Sequence, residues 1–200
     1  MFFKTLVGVL FVVYPAIVYF GLSHNMAWIG LLLLILFCVQ KAVVSDEKRL
    51  QYVVLIAILT LGAWIHQSVT IKLLPIAIHS GLFVLFWQSL RAGKPLIEQF
   101  ARLDFPDMPD GIPEYCSNVT KIWTAFFAFN IFLCLILAIW ASDEIWAVYN
   151  GLIVYGLIGL LVVGEYVWRR LKFPWLEIPS FKDTAISISK NGHKIWGPDR

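Results

Sequence analysis

The sequence predicts an all-α fold, a polytopic membrane bundle of about six transmembrane helices, and three observations carry that prediction. Hydrophobic residues make up 60% of the 200-residue chain and charged residues only 14%, a balance far from that of a soluble domain. The apolar residues fall in long blocks, each near the roughly 20 helical residues that cross a hydrocarbon core of about 30 Å. With the N-terminus inside, fifteen of the sixteen Lys and Arg residues face the cytoplasm and Lys72 lies outside. The positive-inside rule therefore sets both termini in the cytoplasm. A net charge of +3 spread around the spans gives nucleic-acid binding no support.

Six spans follow in order. Residues 5–22 are too long for a signal-peptide core and no small-residue cleavage site follows them, so they read as an uncleaved anchor helix. Residues 26–44 return the chain to the basic side at Lys41, Lys48 and Arg49. Residues 50–66 and 71–90 are separated only by Gln67–Thr70, which makes them a tight helical hairpin. Residues 120–141 and 145–168 are joined by Ser142, Asp143 and Glu144 alone, so these helices are antiparallel neighbours. Trp28, Trp64, Trp140 and Trp146 fall at outer ends, and Trp87, Trp123 and Trp168 at inner ends. Indole favours those boundaries because its ring is apolar and its N–H seeks a partner. Residues 1–172 thus form the transmembrane bundle and 173–200 a cytoplasmic tail.

The cytoplasmic loop 91–119 holds a predicted surface helix. Pro95 suits a first helical position. Leu96, Phe100 and Leu103 then recur at i, i+4 and i+7, opposite Glu98, Gln99 and Arg102. That pattern describes an amphipathic helix lying on the membrane. Three prolines and a glycine between Asp104 and Pro113 exclude regular helix there. Leu96, Phe100 and Leu103, with the acidic Asp107 and Asp110 of that loop, form the predicted partner-docking face. In the tail, residues 185–189 alternate apolar and polar and Asn191-Gly192 signals a turn, which predicts a β-hairpin.

Glu165 is the sharpest polar candidate. It precedes Arg169 by one helical turn, so an i, i+4 pair neutralises it near the inner interface, with Lys121 a second possible partner. Two readings stand: a proton or headgroup site, and an interfacial ion pair. Asn130, near the middle of the fifth span, calls for an interhelical hydrogen bond worth about 1 kcal/mol, and Asn150 on the sixth helix is a candidate partner. Cys116, Thr120, Trp123, Phe127, Asn130 and Cys134 share one stripe. It is either a bundle seam or a groove wall for a lipid or isoprenoid-like chain. Gly156 with Gly164, and Gly151 with Gly159, lie two turns apart and predict a closely packed, central helix. Pro75 frees a backbone carbonyl and can kink its helix. His79, four residues on, either bonds that carbonyl or relays protons.

No histidines and carboxylate share metal-ligand spacing, and Cys38, Cys116 and Cys134 form no CxxC pair. No metal or cofactor is expected. Phosphate-binding, nucleophile-elbow and zinc-protease motifs are absent, so no catalytic residue is predicted.

Residues Lys94-Pro-Leu-Ile97, Tyr115-Cys-Ser-Asn-Val-Thr-Lys-Ile-Trp123, Phe126-Phe127, Asn130, Trp146, Tyr149-Asn150 and Glu165-Tyr-Val-Trp-Arg-Arg170 carry a resemblance over roughly residues 91–172. This half resembles a family of bacterial inner-membrane proteins found with aryl polyene and related fatty-acid-type biosynthesis clusters. A wider likeness is to the intracellular septation protein A family, where a similar Lys-Pro-Leu-Ile segment precedes a Trp-x-x-Phe-Phe helix. The chain departs from that group by its Pro/Asp loop and its tail. The first resemblance implies an accessory role in assembly, anchoring or passage of a lipid-like product, with cytoplasmic biosynthetic enzymes or an acyl carrier protein as partners. The second implies an envelope or division scaffold. A small enzyme or transporter using Glu165 and Asn130 is the third expectation.

Overall fold

The structure, a computed structural model, describes residues 28–44, 49–105 and 107–175, and every regular element among them is helical. The helices are α1 Trp28–Val44, α2 Arg49–His66 and α3 Ser68–Arg91, α4 Leu96–Asp104, α5 Ile112–Trp140 and α6 Asp143–Lys172. Four of these, α2, α3, α5 and α6, are long and apolar enough to cross a membrane. The chain is a multi-pass membrane protein. The predicted first span, 5–22, and the predicted hairpin tail lie outside the described residues.

The chain divides into two compact units, one of Met1–Ala77 with Ile131–Gly159 and the other of Ile78–Asn130 with Leu160–Arg200. In the first unit the core joins Leu31 and Cys38 of α1, Leu59 of α2, Ile71 of α3, and Trp146 and Ala147 of α6.

The reversal between α2 and α3 occupies a single residue. His66 adopts extended dihedrals, φ −159° and ψ 94°. In an unbroken helix Leu59 and Ile71 would stand roughly 18 Å apart along the axis, yet they share one buried cluster. A Cβ on Gly62 would lie 2.8 Å from Thr70 Oγ1, so the two helices touch immediately beside the turn. The predicted hairpin is present. Its turn is tighter than Gln67–Thr70, because Thr70 is already helical and donates its hydroxyl to the His66 carbonyl at 3.1 Å. Within 49–91 the dihedrals leave the helical region at His66, and the chain stays helical through Pro75.

The second unit is built at the joint between α3, α4 and α5. α3 ends in a Schellman turn: Lys94 N–H donates to the Ser89 carbonyl and Gly93 N–H to the Leu90 carbonyl, both at 3.1 Å. Gly93 takes φ +69°, where a side chain would be strained. Ser89 then bridges the joint, donating to the Phe86 carbonyl at 2.7 Å and accepting from Leu96 N–H at 3.0 Å. Pro95 is the cap of α4 and not its first helical residue. Ile97 N–H reaches across to Thr120 Oγ1 on α5 at 3.3 Å.

These bonds seat α4 on protein. Leu96 is 3% exposed, and Ile97 and Ala101 pack on a cluster of Ile112, Tyr115, Cys116, Val119 and Phe173. The predicted apolar stripe is therefore turned toward Ile97 and Ala101, with Phe100 and Leu103 half-buried. Leu96 belongs to the interior, not to a docking face.

α5 begins eight residues before the predicted span. Its 29 residues measure about 43 Å at 1.5 Å per residue, against roughly 30 Å of hydrocarbon. The stretch Ile112–Val119 is helix and not loop. Pro113 is tolerated because it falls in the first turn, where its missing N–H has no helical acceptor to satisfy.

α6 is capped by Ser142, whose hydroxyl accepts from Ile145 N–H, and carries Asp143 and Glu144 in its first turn, where the helix dipole favours them. At Tyr149–Ile153 it widens into one π turn. That turn breaks the regular register on which Gly151 and Gly159 were expected to share a face. Gly156, Gly159 and Gly164 are exposed, with nothing within 4 Å of an added Cβ. At these three glycines no described residue makes the expected close approach.

Candidate functional site

The second unit holds a charged cluster where α5 and α6 approach. Tyr115, in the first turns of α5, donates its hydroxyl to Glu165 Oε1 at 3.0 Å and also approaches the Glu165 carbonyl at 3.3 Å. Arg169 Nε stands 3.3 Å from the same Oε1. Its direction makes no hydrogen bond, and this Nε is buried without a hydrogen-bond partner. The Glu165–Arg169 contact is therefore electrostatic, and the hydrogen bond belongs to Tyr115. The Tyr115 ring is held edge-on by Phe173 at 5.4 Å and lies under Lys172 Nζ at 5.4 Å.

The predicted Glu165–Arg169 pair is present at its i, i+4 spacing. Lys121, the other predicted partner, is exposed and donates to Asn118 Oδ1 at 3.1 Å. Tyr115 takes the role proposed for Lys121. Sequence reading missed it because the two residues are fifty apart and a span's first turn was read as loop.

The α5 stripe is buried. Cys116, Thr120, Phe127, Asn130 and Cys134 are each at most 4% exposed. Within the second unit Phe127 packs against Phe86 at 5.2 Å and His79 at 6.2 Å, and Trp123 joins the same aromatic cluster. His79 is buried among these rings. Asn130 donates to the Phe126 carbonyl, one turn back in its own helix, at 2.8 Å.

The first unit has its own polar contacts. Asn150, in the π turn, donates to the Trp146 carbonyl at 2.9 Å, and its Oδ1 accepts from the Cys134 thiol at 3.2 Å. Asn150 thus makes an interhelical bond of the kind expected of a span carboxamide, to Cys134. Lys72 pairs with Asp143 at 2.7 Å, its side chain only 14% exposed. Sequence reading could have found this pair: Lys72 is the lone outer cation of the six-span reading, and Asp143 sits in its short acidic outer turn.

Asp107 and Asp110 are exposed, presented between the C-terminus of α4 and the Gly111 turn, where φ is +85°. Among the described residues no His, Cys, Asp and Glu group is arranged to hold a metal ion.

A multi-pass membrane protein with ion pairs at helix ends, Lys72–Asp143 and Glu165–Arg169, is what fold and site together define. Compared with known proteins, the chain matches no family model, no curated protein and no solved structure.

Proposed function

We propose that the chain is a six-span bacterial inner-membrane protein, both termini cytoplasmic, serving as an accessory in aryl polyene-type biosynthesis. Its role would be to anchor soluble biosynthetic enzymes beside the membrane and to aid assembly or passage of their lipid-like product. One observation supports this reading most: the exposed acidic segment at Asp107 and Asp110 is held between two fixed helices. α4 is tied down through Ser89 and Thr120, and α5 starts at the Gly111 turn. A loop positioned by rigid elements suits recognition better than a free tether does. Glu165, with its carboxylate already engaged by Tyr115 and Arg169, supports the ion-pair reading over a catalytic one.

The test replaces Asp107 and Asp110 with lysine in the full chain and recovers cross-linked cytoplasmic proteins. Loss of biosynthetic partners, with membrane insertion unchanged, is expected. Unchanged recovery would remove the docking role, and midcell localisation with cell-division partners would move the assignment to an envelope scaffold.

A further inference from the structure

We infer that the C-terminal end of α6 binds the phosphate headgroup of an anionic phospholipid. The last two turns of α6 carry three cations, Arg169, Arg170 and Lys172, against one acid, Glu165. That acid is committed: Oε1 accepts from Tyr115 at 3.0 Å, and Arg169 meets it without a hydrogen bond. The guanidinium keeps donors for an outside acceptor, with 26% of its side chain exposed.

Arg170 and Lys172 have no carboxylate partner among the described residues. They rest on aromatic rings instead, Arg170 on Tyr166 at 5.1 Å and Lys172 on Tyr115 and Phe173 at 5.4 and 5.6 Å. An aromatic face attracts a cation while leaving its N–H groups unspent. These side chains are thus restrained with their donors still available, an arrangement suited to phosphate.

The neighbouring surface identifies the rest of the ligand. Trp168, Leu171 and Trp175 are exposed to 61%, 71% and 60% beside the cations. Large apolar side chains next to a phosphate-binding cluster suit an acyl chain joined to a phosphate, and a free soluble anion would use none of them. The inference rests on α6 being a membrane span and is independent of the docking role proposed above.

The test uses the full chain in phosphatidylcholine vesicles containing a fraction of lipid with brominated acyl chains. Brominated phosphatidylglycerol should quench tryptophan more than the same fraction of brominated phosphatidylcholine. The excess should vanish in W168F/W175F, which places it at this end. Each basic residue near an anionic surface adds about 1 kcal/mol, or roughly fivefold, so R170Q/K172Q should cut the preference by about 25-fold. That variant keeps the Tyr115–Glu165 hydrogen bond and Arg169. It gives up the Arg170 contact with the Tyr166 ring and the Lys172 contacts with the Tyr115 and Phe173 rings; unchanged protease resistance in detergent checks that folding is preserved. Equal quenching by the two lipids, or an undiminished preference in R170Q/K172Q, would overturn the site. Displacement of the lipid by millimolar inorganic phosphate would reassign it to a soluble anion.

Discussion

Replacing Gly62 with alanine tests the one-residue reversal between α2 and α3. The new methyl would stand 2.8 Å from Thr70 Oγ1 and 3.1 Å from Thr70 Cγ2. Rotating Thr70 exchanges one heavy atom for another and gives up the hydroxyl bond to His66, and a β-branched side chain has few rotamers to offer. Overpacking of this kind costs about 1–3 kcal/mol. Alanine also regains roughly 1 kcal/mol of helix propensity over glycine. The single variant should therefore lose up to about 2 kcal/mol. In a Thr70→Ala background the nearest clash disappears, since Thr70 Cβ is 3.6 Å away, and only the propensity gain remains. The effect of Gly62→Ala should change sign. Unfolding of the four proteins of this cycle, followed in detergent by protease resistance, gives the coupling directly. It should amount to about 1–3 kcal/mol. Equal effects of Gly62→Ala in both backgrounds would mean that α2 and α3 do not meet beside His66.

Two further substitutions probe the second unit. Tyr115→Phe removes the hydroxyl that Glu165 Oε1 accepts; bonds to charged groups contribute about 1.5–3 kcal/mol, and partial exposure of this carboxylate places the expected loss at the low end. Thermal unfolding should show that loss, and show much less of it when Glu165 is already Ala, which has no side-chain acceptor; identical losses in both backgrounds would detach Tyr115 from Glu165. Thr120→Val deprives Ile97 N–H of its acceptor on α5; the bond is part-buried, so the cost falls at the low end of the about 1–3 kcal/mol for an unsatisfied donor. The α4 seat should loosen and proteolysis near Asp107 should accelerate, whereas Thr120→Ser should cleave at the parent rate.

What the sequence made legible follows from the length scale of each signal. Apolar length located α2, α3, α5 and α6, because hydrocarbon thickness acts on every span alike. The hairpin was legible from the polar gap at Gln67–Thr70, although a polar gap does not say how few residues the turn consumes. The Glu165–Arg169 pair was legible as an i, i+4 neighbour. Tyr115 at Glu165 and Cys134 at Asn150 were not, since nothing local reports which residues of two antiparallel helices come level. The π turn at Tyr149–Ile153 has no composition signature, and it defeats any face assignment drawn through it. Gly156, Gly159 and Gly164 of α6 meet no described neighbour for another reason: periodicity shows that small residues share a face, and not what lies opposite. α4 was found by its pattern but turned, because Ile97 and Ala101 pack on α5 while a helical wheel knows only one helix.

The brevity of the His66 turn also governs how the chain can be mapped. A reporter domain or epitope spliced between α2 and α3 would find no slack, since Leu59 and Ile71 share one core and Gly62 already touches Thr70. The Ser142 turn is equally bound, by its own cap and by the Lys72–Asp143 pair. Both reversals that the charge pattern places outside would refuse insertions for mechanical reasons, and a failed fusion there would be misread as evidence of sidedness. Single cysteines at Trp64, which is 84% exposed, or at the exposed Glu144 change no backbone and can be labelled from either side of the bilayer.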